Sequence, residues 1–144
     1  MSAATPAATA IHAIAQIAVT CRDVERATTF YRDALGLPFL FAAEGMAFFQ
    51  CGPTRLMLSL PSAEEFDHPT SLIYLAVSDI EARVEEMKGR GVEFRREATL
   101  THQAPTYALW LAFLRDSEGN TLALMEEKPN RFNGAPETPG VADA

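Results

Sequence analysis

The sequence predicts an α+β fold in which two tandem βαβββ modules form a curved, incompletely closed eight-stranded mixed sheet around a cavity. Three observations lead there. A strand-then-helix unit occurs twice, as QIAVTCRDVERATTFYRDALGL (Gln16 to Leu37) and as LIYLAVSDIEARVEEMKGRGV (Leu72 to Val92). Each helical pattern stops at a glycine, Gly36 or Gly91, where a left-handed residue is needed. Each is followed by three strand-like runs separated by turn signals. One such unit covers a single face of its sheet with its helix. A second copy must close the other face, and two four-stranded sheets set edge to edge enclose a trough.

The first module begins with Ile14–Thr20, whose alternation reads as a strand. Asp23 caps a helix from Val24 to about Leu35, with Val24, Ala27, Phe30, Tyr31 and Leu35 at helical spacing on one face. Strand-like runs follow at Pro38–Ala42, Met46–Cys51 and Arg55–Leu60, divided by Glu44-Gly45 and Gly52-Pro53. The second module opens with the apolar run Ser71–Val77. Ser78 and Glu81 have the spacing of a capping box before a helix from Asp79 to Arg90 that buries Ile80, Val84 and Met87. Val92–Arg95, Tyr107–Leu114 and Thr121–Glu126 read as the remaining strands, with Ala98–Thr106 as a loop and a tight hairpin turn at Arg115 to Asn120. Residues 11–128 therefore form a single domain, module one spanning 11–61 and module two 70–128. The ends, 1–10 and 129–144, are rich in small residues, Pro and Gly and are expected to stay frayed.

Composition limits the partners. A hydrophobic share of 48% and a charged share of 22% fit a globular domain rather than a disordered chain. A net charge of −7 argues against a nucleic-acid partner, because little could replace the counterions along a phosphate backbone. No apolar run approaches the roughly 20 residues that span a bilayer, so no membrane partner is expected. The opening MSAATPAATA lacks the basic start and apolar core of a signal peptide, and a cytoplasmic location is expected. Cys21 and Cys51 have no metal-type or redox spacing and read as reduced, inert thiols.

The runs IAVTCRDVERATTFYRDALGL, with its FY and LGL, and WLAFLRDSEGNTLALMEE, with its D-x-x-G-N turn, resemble the vicinal oxygen chelate superfamily. That superfamily includes glyoxalase I, bleomycin-resistance proteins and extradiol dioxygenases. The resemblance covers about Ile14 to Glu127 and implies the glyoxalase/bleomycin-resistance fold. In metal-using relatives four trough-facing side chains hold one divalent ion. Those positions correspond here to Gln16, Met57, Leu72 and Ala123. Gln16 offers one amide oxygen and Met57 a soft thioether, whereas Leu72 and Ala123 offer no donor. No metal or other cofactor is expected.

Period-two counting from these four positions lists the trough lining. It adds Ile14, Ala18 and Thr20, then Arg55 and Ser59, Tyr74 and Ala76, and Thr121 and Met125. Leu56, Leu58, Ile73, Leu75, Leu122 and Leu124 should pack beneath the helices. Gln16, Arg55, Met57, Ser59, Leu72, Tyr74, Trp110, Ala123 and Met125 are the candidate ligand-binding residues. Arg55 reads either as a fork for an anionic ligand or as a strand-end arginine reaching solvent. Tyr74 reads as a hydroxyl donor or as an amphipathic wall residue. Trp110, Phe48 and Phe49 are ring-stacking candidates and also ordinary core types. His12, His102 and Glu126 are further donors without the spacing of a metal set.

Two functions fit these residues best. The first is a small-molecule binder lacking the usual metal ligands, which sequesters a drug or holds a largely apolar or aromatic metabolite. The second is an enzyme of the same fold, a lyase, isomerase or dioxygenase, using non-standard metal ligands or metal-free acid/base catalysis. Its candidate catalytic residues are Tyr74, His102 and Glu126. The resemblance also implies a homodimer, with the modules paired within one chain or across two.

Overall fold

The computed structural model describes residues 10–130. The expected frayed segment 1–10, except for Ala10, and the tail beyond Asn130 lie outside the described residues. Eight strands form two four-stranded mixed sheets. The first holds β1 (Gln16–Thr20), β2 (Phe39–Ala43), β3 (Met46–Cys51) and β4 (Thr54–Ser59) in the order β1-β4-β3-β2. The second holds β5 (Ile73–Ala76), β6 (Glu93–Gln103), β7 (Tyr107–Arg115) and β8 (Thr121–Pro129) in the order β5-β8-β7-β6. β1 runs parallel to β4 and β5 parallel to β8, while the other pairs are antiparallel. The duplication read from the sequence is therefore present strand for strand.

Burial follows the alternation. Val19, Phe49, Leu56 and Leu58 from the first sheet share one core cluster with Ile80, Val84, Met87, Ala112, Leu114, Leu122 and Leu124 from the second module. The helices α1 (Val24–Thr29) and α2 (Ile80–Gly89) pack on this side, α1 against β3 and β4, and α2 against β6, β7 and β8. Gln16, Ala18, Arg55, Tyr74 and Ala76 point to the opposite, open faces and are exposed. None of the helices of the described residues is long and apolar enough to cross a membrane.

A buried carboxylate joins the modules. Asp116, in the β7–β8 turn, accepts hydrogen bonds from the Tyr31 hydroxyl at 2.6 Å, from the Glu118 and Asn120 amides at 2.8 Å, and from Asn120 Nδ2 at 3.0 Å. The FY of the first module and the D-x-x-G-N of the second thus touch each other. Glu118 adds bonds from the Arg22 amide and the Arg26 guanidinium, and Arg90 Nε donates to the Ala34 carbonyl at 3.0 Å.

Four local expectations need correction. The first helix does not run regularly to Leu35, because an α-helix ends at Thr29 and a π-helical turn, Phe30–Ala34, follows. Its i→i+5 bond from Leu35 N to Phe30 O widens the helix where Tyr31 enters the core. Second, Ser78 and Glu81 form no capping box. Asp79 is the cap residue, in a left-handed conformation with φ 56° and no side-chain cap bond, and Glu81 pairs with Lys128. Third, the segment taken for a loop at Ala98–Thr106 is strand as far as Gln103. Three register shifts in β6 place two residues opposite one and erase the period of two that marks a strand. Fourth, β8 continues past Glu126 to Pro129, so the tail starts later than expected.

Candidate functional site

Cross-strand register builds each open face in rows, because residues directly opposite share a face. In the first sheet Ala18, Met57, Phe48 and Phe41 form one row. Phe41 and Phe48 stack with centroids 4.5 Å apart and planes 22° from parallel. The neighbouring row holds Gln16, Arg55 and Gln50. In the second sheet the matching row is Tyr74, Ala123, Phe113 and Arg96. Phe48 beside Met57 and Phe113 beside Ala123 therefore occupy equivalent places in the two modules.

The four positions implied by the resemblance divide between the sheets. Gln16 Nε2 donates to Met57 Sδ at 3.8 Å, so amide and thioether are in contact with each other. Leu72 precedes β5 and is 45% exposed, and Ala123 is fully buried between its strand neighbours. Met57 and Ser59 line a cleft of about 270 Å³ with Ala18, Thr20, Phe66 and His68, where the connector between the modules crosses the first sheet. The Thr20 hydroxyl donates to the Phe66 carbonyl at 2.7 Å and fixes that crossing. Met125 lines a separate cleft of about 320 Å³ with Ala76, Ser78 and Glu127. A larger depression of about 680 Å³ lies away from both faces, beside α1 and the β2–β3 turn. Its wall of Arg22, Glu25, Thr28 and Arg32 offers no aromatic surface.

Tyr74 lies on the open face, 48% exposed, and His102 lies opposite Leu109 in β6 rather than in a loop. Two candidates are placed elsewhere. Trp110 sits on the helix side of β7, packed against the core with Lys128 Nζ 4.5 Å from its ring centroid. Glu126 faces the same side and is engaged: its carboxylate accepts from the Asp79 amide at 3.0 Å and the Ile80 amide at 2.9 Å. It thus replaces the expected capping box, with its negative charge at the positive end of the helix. Glu126→Ala is expected to cost about 1–2 kcal/mol, read as a lower urea midpoint and weaker amide-exchange protection in α2. Unchanged protection there would contradict the capping role.

Sequence reasoning missed Phe41, Phe113 and Arg96 as open-face residues. Counting by two along the third strand of each module would have found Phe113, given its pairing with Ala123. The bulges in β2 and β6 hide the other two. The thiol of Cys21 is pushed up to about 11, first by burial and then by the nearby Glu118, Asp116 and Asp23 carboxylates, which fits an unreactive core cysteine. Among the described residues, no three His, Cys, Asp or Glu side chains are placed to hold a metal ion together.

The family model described as Glyoxalase/Bleomycin resistance protein/Dioxygenase superfamily matches residues 13–124. The chain belongs to this superfamily. Among solved structures, a superfamily member from Sphaerobacter thermophilus DSM 20745 is 25% identical with a TM-score of 0.68, covering 81% of this chain and 98% of its own. The antibiotic binding protein TnmS3 from Streptomyces sp. CB03234 is 23% identical with a TM-score of 0.65, covering 83% and 99%. A lactoylglutathione lyase from Agrobacterium tumefaciens is 23% identical with a TM-score of 0.57, covering 82% and 96%. The last two likenesses concern the fold alone. No curated protein matches the chain.

Proposed function

We propose that this superfamily member binds a small, planar, largely apolar or aromatic molecule on its open faces and releases it unchanged, as a sequestering or metabolite-binding protein. The observation that carries this is the pair of rows in which Phe48 flanks Met57 and Phe113 flanks Ala123. Rings stand beside the places where metal-using relatives keep their donors. Leu72 and Ala123 have no donor atom, Met57 offers only a soft thioether and Gln16 a single neutral amide oxygen, so these residues do not fit a hard divalent ion. The likeness in fold to an antibiotic binding protein supports this reading.

A second copy of the chain is part of the proposal. The two faces lie on separate sheets with Phe41, Leu72 and Tyr74 about half exposed, and pairing each face with its opposite in a partner would cover them and complete a pocket. Native mass spectrometry with metal analysis, on protein taken directly from cells, tests both parts. Two chains, no stoichiometric Zn, Mn, Ni or Fe, and a ligand recovered chemically intact are expected. Phe48→Ala should weaken binding of a planar aromatic probe by about tenfold or more. A stoichiometric divalent ion would sink the metal-free reading.

The exposed Tyr74 hydroxyl, beside Ala123 on the open face, favours catalysis as the second reading, with His102 as a further proton carrier. Turnover by the purified protein that is lost in Tyr74→Phe and His102→Ala would replace binding with catalysis.

A further inference from the structure

Among the described residues, Arg55 is the one charged side chain in the four strands of the first sheet. It stands on the open face, exposed, with Gln16 opposite it on β1 and Gln50 opposite it on β3. Both neighbours are neutral. Gln16 donates to Met57 Sδ and Gln50 Nε2 donates to the Gly52 carbonyl at 2.6 Å, so neither supplies a counter-charge. Six other cationic side chains of the described residues, Arg22, Arg26, Arg32, Arg83, Lys88 and Lys128, are paired with carboxylates. Arg55 has no such partner within the described residues. Its guanidinium carbon lies 5.9 Å from the Phe48 ring centroid, beside the Phe41–Phe48 stack. A planar apolar wall and a free fork of N–H donors are therefore adjacent on one sheet face.

We propose that this face takes an aromatic acid, a flat ring system carrying a carboxylate or ionised phenol, with Arg55 holding the anion while the ring lies along Phe48, Phe41 and Met57. The proposal rests on the binding reading above and narrows it to one ligand class. The chain's charge of −7 opposes an anion only if distance is ignored. At about 0.15 M salt the screening length is roughly 8 Å, whereas a guanidinium–carboxylate contact is made at about 3 Å. The local cation decides. Lysine would not replace it fully, since a point charge lacks the planar fork that meets both carboxylate oxygens.

The test compares 2-naphthoate with 2-naphthamide, equal in ring and nearly equal in shape, by titration calorimetry on the full chain at 0.15 M salt. The acid is expected to bind about tenfold or more tighter than the amide. Arg55→Gln should bring the acid down to the level of the amide and leave the amide unchanged, and Arg55→Lys should restore part of the preference. Equal affinities in the wild-type protein, or a preference that survives Arg55→Gln, overturn the assignment while leaving the binding reading in place. Failure of both probes to bind at millimolar concentration, with a neutral aromatic panel also silent, removes both.

Discussion

Asp116→Ala is expected to destabilise the protein by about 3–5 kcal/mol, the cost of breaking a buried hydrogen-bonded charge. Four donors converge on this carboxylate: the Tyr31 hydroxyl, two backbone amides and the Asn120 side-chain amide. Alanine leaves all of them without their acceptor in a site where Tyr31 is fully buried and Asp116 and Asn120 nearly so. The turn would also lose the bonds that set its shape, and with them the Asn120 Oδ1 acceptor for the Thr70 amide at 3.1 Å. Tyr31→Phe removes a single donor and should cost less, about 1–2 kcal/mol. Urea denaturation of both variants checks the order and the size. A loss under about 1 kcal/mol for Asp116→Ala would show that the bonds to this carboxylate add little to the junction between the modules.

Stability is also expected to fall as the pH rises above about 9. Burial raises the Cys21 thiol from its ordinary 9.0 to about 11, with the surrounding carboxylates adding to the effect. Burial likewise raises the Tyr31 hydroxyl far above its ordinary 10.0, and Asp116 pushes in the same direction. Both groups are neutral when protonated, and the folded state prefers that form. Below pH 9 neither favours one state by proton release. Between 9 and 11 the unfolded chain releases the Cys21 proton while the folded chain keeps it, so unfolding gains ground with each step in pH. Above 10 Tyr31 adds a second loss of the same sign. Cys21→Ala should flatten the first part of the curve of urea midpoint against pH, and Tyr31→Phe the second. Curves parallel to the wild-type one would mean that other groups govern alkaline unfolding.

Much of the fold was legible because its determinants are local or periodic. Leu56 and Leu58 in β4, and Leu122 and Leu124 in β8, alternate with open-face residues and are buried as that alternation requires. Gly36 and Gly91 adopt the positive φ angles of 84° and 93° that end the helical segments. What escaped depends on residues far apart in the chain. Nothing around Ser78 signals that Glu126 will take the free amides at the start of α2. Nothing local to Phe30 announces a π-turn, whose neighbour Tyr31 answers to an aspartate 85 positions away.

The candidate site was legible to the same extent. The resemblance drew attention to Gln16, Met57, Leu72 and Ala123, and counting by two from them placed Arg55 and Tyr74 on the open faces. Trp110 was left open between ring stacking and core because a strand aromatic by itself carries no mark of its side; its packing against the core and its pairing with Glu126 put it on the helix face. The isolation of Arg55 was visible only once the strands of its sheet were known.

The main core cluster lies on the helix side of each sheet, so the two faces of every strand answer to different demands. Residues beneath the helices keep the molecule folded, whereas the exposed residues across the backbone, Gln16, Ala18, Arg55, Tyr74 and Ala76 among them, can be exchanged at little thermodynamic cost. A gene built this way can trade cargo through successive substitutions without passing through an unfolded ancestor. The two halves differ in this respect, since the strands of the first sheet carry one charged residue, an arginine, while those of the second carry charges of both signs.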